Sequence, residues 1–364
     1  MTVAWIGDRD VPITQAIERI AELLVSSLCP VFSLDTDVHG TRAAIALAER
    51  VGAAYDRLGG DGVARETALL TDRGGFFVAP GEARRRADVI VIAGQLPAAH
   101  HALVTEIAAT PPDLAGEAPK PRQVFLVGAE TQAAYLRKAK TMRLACAGAD
   151  LNGTLAALRA QCAGRAVTKP VSDFARFAQA MAEARFAVFL FCGEMLDAPG
   201  LEMLQGLIGD LNRKSRASAL HLPASEAGWG SSLASTWMTG FPLRTGFGRG
   251  QPEFDPWRYD VSRMIEEGEA DLHLCIAASG DQIASSRKNL PLVAITPTDR
   301  PIAGAAVTLA AGQPGVSHDA VVYSSRVGTL VSKTAERRAD DLPDAASLLR
   351  SIARQLPGGK ALPC

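Results

Sequence analysis

Short apolar runs bounded by turn residues recur along the chain: Thr2–Ile6, Pro30–Leu34, Val89–Ala93, Gln123–Val127, Ala187–Phe191, Ala219–Leu222, Leu272–Ala277 and Leu292–Thr296. Runs this short, apolar at odd and even positions alike, predict parallel strands buried on both faces. Between them, apolar residues at helical spacing predict helices over Ile13–Ser26, Thr41–Val51, Leu151–Ala160, Asp173–Ala184, Leu201–Asn212 and Asp260–Glu269. The alternation is that of right-handed βαβ units, and the expected fold is α/β with doubly wound, mostly parallel sheets. After Leu309 the pattern changes to short strands at Ala320–Ser324 and Thr329–Ser332, a polar stretch, and a final helix near Asp344–Gln355.

Two segments echo each other. Glu82–Gly94 and Glu266–Gly280 both run from a charged helix end through Ala-Asp (Ala87-Asp88 and Ala270-Asp271) into an apolar strand and a glycine. Two related α/β halves account for this, and so do the shared demands of βαβ geometry. Pro111–Pro121 is rich in Pro, Gly and acidic residues and reads as an exposed connection. Gly240–Trp257 gathers Gly, Pro, Arg and aromatic residues into a long irregular loop of the kind that carries function or contacts.

Composition narrows the classes. At 364 residues the chain is long enough for two domains with substantial cores. The 48% hydrophobic, 21% charged mix is that of a globular protein, and only 5% aromatic residues means cores built from Ala, Leu, Val and Ile. A net charge of -1 leaves no basic footprint, with Arg84, Arg85 and Arg86 the only dense basic cluster, so nucleic acid is excluded as a partner. The longest apolar run, Phe186–Cys192, falls far short of the roughly 20 residues that span a bilayer. Asp8, Arg9 and Asp10 stand where a signal sequence would be apolar. No membrane partner and a cytoplasmic location are expected. The six cysteines, Cys29, Cys146, Cys162, Cys192, Cys275 and Cys364, lie far apart and read as small core residues, not as a disulfide or metal framework.

Candidate chemistry is sparse. Asp35, Asp37 and His39 follow a strand at the edge where open α/β sheets bind ligands, as a metal site or, on the preference of Asp for such positions, as a cap for the next helix. His100 and His101 are adjacent and diverge by about 100° on a helix, so they do not share an ion. His221 and His273 alternate with apolar strand residues and read as satisfied buried imidazoles. Neither G-x-S-x-G nor a cysteine with a neighbouring base appears, and no catalytic residue is assigned. Leu58–Gly62 and Gly246–Gly250 are glycine-rich, suited to tight turns or, more weakly, to phosphate.

The segment P-V-F-S-L-D-T-D-V-H-G-T-R-A-A-I-A-L-A-E-R-V-G-A-A-Y-D, Pro30–Asp56, resembles the strand, helix and G-A-x-x-D ending of the formylmethanofuran dehydrogenase B subunit. R-R-R-A-D-V-I-V-I-A-G (Arg84–Gly94), W-M-T-G-F-P-L-R-T-G-F-G-R-G-Q-P-E-F-D-P-W-R-Y (Trp237–Tyr259) and G-E-A-D-L-H-L-C-I-A-A-S (Gly268–Ser279) follow the same family in order. The similarity runs from about Ala16 to Gln355 and belongs to the molybdopterin oxidoreductase superfamily. It implies two α/β domains, one inserted in the other: residues 1–60 with 226–364, and an inserted domain over 61–225.

Departures from the family pattern decide what the resemblance implies about activity. Active members carry an N-terminal cysteine cluster for a 4Fe-4S centre, and here no cysteine precedes Cys29. They also place a metal-ligating Cys followed by His after the G-A-x-x-D segment. The nearest matching positions here are Gly62 and Val63, neither of which donates to Mo or W. No molybdopterin, iron-sulfur cluster or other metal is therefore expected. Arg249 matches the arginine of the family's S-R-G-Y-P segment and, with Arg244, marks a vestigial pocket or anion contact. The resemblance is closest to the cofactor-free branch found in bacterial formyltransferase/hydrolase complexes, which carry formyl groups from formyl-tetrahydromethanopterin through a methanofuran-like carrier to formate during formaldehyde oxidation. It implies a non-catalytic structural subunit with three kinds of partner: an amidohydrolase-like subunit, a formyltransferase-like subunit and a further small subunit. Two rivals stand beside it. One is carrier binding in the old cleft through Arg244, Arg249 and Arg258, which otherwise pair with Glu253, Asp255 and Asp260 to rigidify the loop. The other is an active molybdopterin oxidoreductase with unusual ligands.

Overall fold

A computed structural model describes residues 3–114, 121–128, 132–137, 139–279, 283, 289–337 and 342–358. Thr2 of the first expected strand, residues 115–120 of the Pro111–Pro121 connection, Gly280 of the second echo and Cys364 lie outside the described residues. The chain is α/β with parallel sheets and divides into two compact units, one of 1–60, 225–323 and 330–364, the other of 61–224 with 324–329.

The first unit is built on a nine-stranded sheet. Its order is Glu253–Phe254, Thr245–Gly246, Ala54–Arg57, Pro30–Asp35, Leu272–Ala277, Leu292–Thr296, Val307–Ala310, Ala4–Ile6 and Arg9–Asp10. The five middle strands are parallel, and the short strands at either edge are antiparallel. Pro30–Asp35 and Leu272–Ala277 are buried at every position, as strands covered on both faces must be. Helix Val38–Val51 begins where the Asp37 carboxylate accepts a hydrogen bond from the Gly40 amide at 2.8 Å, and ends at Gly52 in the left-handed conformation, φ 73°.

The second unit holds a five-stranded, wholly parallel sheet in the order Thr141–Leu144, Gln123–Val127, Val89–Ala93, Ala187–Phe191, Ala217–His221. Alternate residues of each strand feed two separate cores. Val89, Val91, Phe125, Phe189 and Phe191 pack with helices Leu151–Cys162, Phe174–Glu183 and Ala198–Leu211, and Phe125 meets Phe177 edge-on at 5.2 Å. Ile90, Ile92, Val124, Val188 and Leu190 pack with Ala83, Leu103, Val104 and Ile107 on the other face. The chain runs outward from Val89–Ala93 to one edge, then returns to build Ala187–Phe191 on its other side. The carboxyl ends of those two strands therefore form a switch point, where open α/β sheets place ligands.

The Ala-Asp echo has a physical cause. Asp271 leads into Leu272–Ala277, and its carboxylate accepts hydrogen bonds from the amides of Leu28 at 2.7 Å and Cys29 at 3.0 Å and from the Ser27 hydroxyl. Those residues lead into the neighbouring strand, and the ladder pairs Leu272 with Pro30. Asp88 repeats the device in the second unit, accepting from the amides of Arg185 at 2.8 Å and Phe186 at 3.0 Å, where the ladder pairs Val89 with Ala187.

Replacing either aspartate with alanine removes charge-assisted bonds from amides that are exposed at Leu28, Cys29 and Arg185 and part-buried at Phe186. Urea unfolding should show a loss of about 1–3 kcal/mol for Asp271→Ala and for Asp88→Ala. A loss below about 0.5 kcal/mol would mean that the ladder holds its register without the clasp.

Candidate functional site

The carboxyl edge of the second unit's sheet gathers three ionisable side chains. His221 is the last residue of strand Ala217–His221. Glu194 lies in the single 3-10 turn Gly193–Met195 that follows strand Ala187–Phe191. Glu66 comes from helix Asp61–Arg73, whose buried residues are Gly62, Val63 and Glu66, spaced to share one helix face. All three side chains are removed from solvent, with exposures of 6% for His221, 2% for Glu66 and 9% for Glu194.

Nε2 of His221 stands 2.9 Å from Oε2 of Glu66 and 3.7 Å from Oε2 of Glu194. The Cys192 thiol donates to Oε2 of Glu194 at 3.4 Å, and the Phe191 ring lies 5.5 Å from the imidazole. Two glycines make this approach feasible. A Cβ at Gly193 would fall 2.1 Å from Oε2 of Glu66, and a Cβ at Gly62 would fall 2.5 Å from Cα of Glu194.

Burial opposes the charged imidazolium of His221, but the carboxylates of Glu66 and Glu194 outweigh it and lift the imidazole to about 9. Burial likewise works against the Glu194 carboxylate, which the His221 hydrogen bond and charge hold below its ordinary value. Burial and the neighbouring Glu194 charge push the Cys192 thiol well up, so it is a protonated donor and no nucleophile. The cluster can hold a proton between an imidazole and two carboxylates, or a cation in its place.

Sequence reasoning left this trio unassembled. His221 reads in the sequence as a satisfied core histidine, and nothing in the sequence singles out Glu66 or Glu194. A helix whose buried face includes a glutamate carries no apolar signal at that position.

The other candidates take bland positions. Asp37 caps its helix, His39 is exposed, and the backbone carbonyl of Asp35 accepts from the amides of Ala278 and Ser279. These three form no ligand group. His100 Nε2 meets the Pro223 carbonyl at 2.7 Å, and His101 stacks on Tyr135 at 3.9 Å. His273 is buried against the Ser33 hydroxyl at 2.8 Å, and burial lowers it to about 4. Gly59 and Gly250 adopt positive φ in tight turns, and a Cβ at Gly246 would strike the Tyr259 ring. The short Thr245–Gly246 and Glu253–Phe254 strands are the regular part of the Gly240–Trp257 segment.

The arginine pair separates. Arg244 is buried, with its guanidinium 3.0 Å from Asp56, 3.0 Å from Asp260 and 2.7 Å from the Pro256 carbonyl. An incoming anion would have to displace two carboxylates, which corrects the expectation of an anion contact there. Burial pushes the Asp56 carboxyl up to about 7 against the pull of Arg244. Arg249 is 67% exposed and pairs with Glu253 at 3.1 Å, and Arg258 lies 3.9 Å from the same carboxylate.

At Gly62 and Val63, where the resemblance would place a ligating Cys and His, side chains with donor atoms are lacking. A thiol-bearing Cβ at 62 would run into the Glu194 backbone. These residues do not fit a pterin-bound metal.

An α/β chain with parallel sheets of this kind resembles the B subunits of formyltransferase/hydrolase and formylmethanofuran dehydrogenase complexes. No protein-family model matches the chain. It is 33% identical over 360 residues, 97% of its length and 98% of the relative's, to the B subunit of the formyltransferase/hydrolase complex Fhc of Methylorubrum extorquens. It is 24% identical over 310 residues, 79% of the chain and 70% of the relative, to the B subunit of tungsten-containing formylmethanofuran dehydrogenase 2 of Methanocaldococcus jannaschii. The crystal structure of the formyltransferase/hydrolase complex (FhcABCD) from Methylorubrum extorquens with methylofuran contains a chain that superposes with a TM-score of 0.85. That match has 32% identity and covers 97% of this chain and 98% of that one. The chain belongs to the family of Fhc B subunits.

Two outcomes follow from the site's electrostatics. Because the folded imidazole of His221 titrates near 9 and an unfolded one near 6.5, its contribution is whole below about pH 6.5 and lost as pH rises through 9. Chelator-treated protein should lose on the order of 3 kcal/mol of stability across that window, and His221→Gln should flatten the profile. A wild-type profile as flat as the variant's would contradict the raised imidazole. Arg244→Ala strands a buried Asp56 and should cost about 3–5 kcal/mol in urea unfolding, whereas Arg249→Ala should stay within about 0.5 kcal/mol. Equal effects would contradict the assignment of the buried ion pair.

Proposed function

We propose that the chain is a non-catalytic structural subunit of a cytoplasmic formyltransferase/hydrolase complex, in which it docks and orients catalytic partners. Those partners are a formyltransferase-like subunit, an amidohydrolase-like subunit and a further small subunit. Their reactions move a formyl group from formyl-tetrahydromethanopterin to a methanofuran-like carrier and release formate. The chain itself carries no molybdopterin and no iron-sulfur cluster in this reading.

The observation that carries the proposal is a retained architecture joined to a lost ligand position. The fold matches an Fhc complex chain over nearly its whole length, while Gly62 and Val63 offer no donor and the space beside Gly62 is taken by Glu194. The surface supports the docking role. Trp237, Met238 and Phe241 at the end of helix Glu226–Thr239, and Trp257 further along the same segment, are exposed, the two tryptophans by 64% and 66%. Trp257 rests one ring face on the Arg263 guanidinium at 4.1 Å, which holds the ring in place. Aromatic residues ordered yet uncovered are typical anchors of a protein interface. Among the described residues no helix is long and apolar enough to cross a membrane, in keeping with a cytoplasmic assembly. The paired state of Arg244 and Arg249 gives the carrier-binding alternative no free cation at those two positions.

The test is assembly. A tagged chain purified from cells that make all the partner subunits should bring them down in fixed proportion. Replacing Trp237 and Trp257 together with alanine should weaken assembly by at least about 30-fold, the effect of losing interface anchors worth about 2 kcal/mol. Recovery of the native chain free of every partner would overturn the proposal.

A further inference from the structure

The buried trio of the second unit has more negative charge than its own atoms balance. Glu66 and Glu194 bring two carboxylates, and a protonated His221 returns one positive charge. Oε1 of each glutamate has no hydrogen-bond partner among the described residues, and Glu66 is 98% removed from solvent. Neither the fold nor the docking role explains why a polar oxygen is left bare in so dry a place.

The geometry points to a ligand. Each of Glu66, Glu194 and His221 offers one donor atom, and the three atoms lie within 4.8 Å of one another. A tetrahedral ion with bonds of about 2.0–2.1 Å holds its ligand atoms about 3.3 Å apart. The separations from the His221 nitrogen, 2.9 and 3.7 Å, bracket that value. Gly193 keeps the Glu66 carboxylate free to turn, since any Cβ there would occupy its space. A divalent cation would balance both carboxylates and leave the imidazole neutral, its ligating form.

We propose that Glu66, Glu194 and His221 form a binding site for one divalent transition-metal ion of the zinc class. Two carboxylate oxygens and one imidazole nitrogen suit zinc, and not the softer ions that thiolates select or the hard ions that all-oxygen cages hold. Three protein donors leave the fourth position of the tetrahedron to a water, so the site needs no thiolate. Its role is structural: the ion ties helix Asp61–Arg73 to the turn after strand Ala187–Phe191 and to the end of strand Ala217–His221. The inference stands apart from the docking role and from the family's cofactor.

The experiment uses the full-length chain, stripped with a chelator and titrated with zinc and with cobalt(II) alone. One equivalent should bind saturably and raise the melting temperature, read by calorimetry. Bound cobalt should give visible d–d bands without the near-ultraviolet charge-transfer band of a thiolate ligand. Glu66→Gln and His221→Gln should each weaken binding more than about 10-fold. If either variant fails to fold, Glu194→Gln carries the same test. Absence of saturable binding, a thiolate band, or undiminished affinity in the folded variants would overturn the site.

Discussion

Both sheets depend on carboxylates placed just ahead of a central strand. Parallel strands buried on both faces are mostly apolar and have few side chains, such as the Ser33–His273 pair, with which to specify how neighbours align, and a slip of one residue would turn every side chain to the wrong core. Asp88 and Asp271 resolve this from outside the buried zone by clasping the amides that lead into the adjacent strand. The clasp in the first unit joins chain segments more than 240 residues apart in sequence. An insertion of the second unit's length is compatible with one sheet only if such an anchor makes the distant strands meet in register.

The same burial dictates where chemistry can lie. With most strand positions apolar and His273 held by Ser33, the cluster of ionisable groups lies at the carboxyl ends and the turns beyond them, where Glu194 and His221 are found. At the neighbouring position Gly62 offers no donor, and the volume a thiol would need there is filled by the Glu194 turn.

Much of this was legible in the sequence because it rests on apolar periodicity. Val89–Ala93, Gln123–Val127, Ala187–Phe191, Leu272–Ala277 and Leu292–Thr296 are strands over the residues expected, and Ile13–Ser26 is the helix expected. Ala54–Arg57 and Thr141–Leu144 escaped notice because each is four residues long and carries charge, their place being set by neighbouring strands and not by their own pattern. Helix Asp61–Arg73 was hidden by the glycines that precede it and by a buried glutamate where an apolar residue would signal a core face. The site was harder still: Glu66, Glu194 and His221 lie on three elements separated by more than a hundred residues of chain between the first two, and no local spacing joins them. Arg244 shows the reverse case: its glycine-rich loop suggests either an anion site or pairing with acids such as Asp260, and the fold brings Asp56 and Asp260 to it.

The central claim is that the fold of a molybdopterin enzyme subunit serves here as a scaffold. Elemental analysis for molybdenum and tungsten, made on this chain after native purification and separation from its partners, tests it most directly. The account predicts neither element above background. Either one in stoichiometric amount would contradict it, because a ligand set other than Gly62 and Val63 would then be holding the metal.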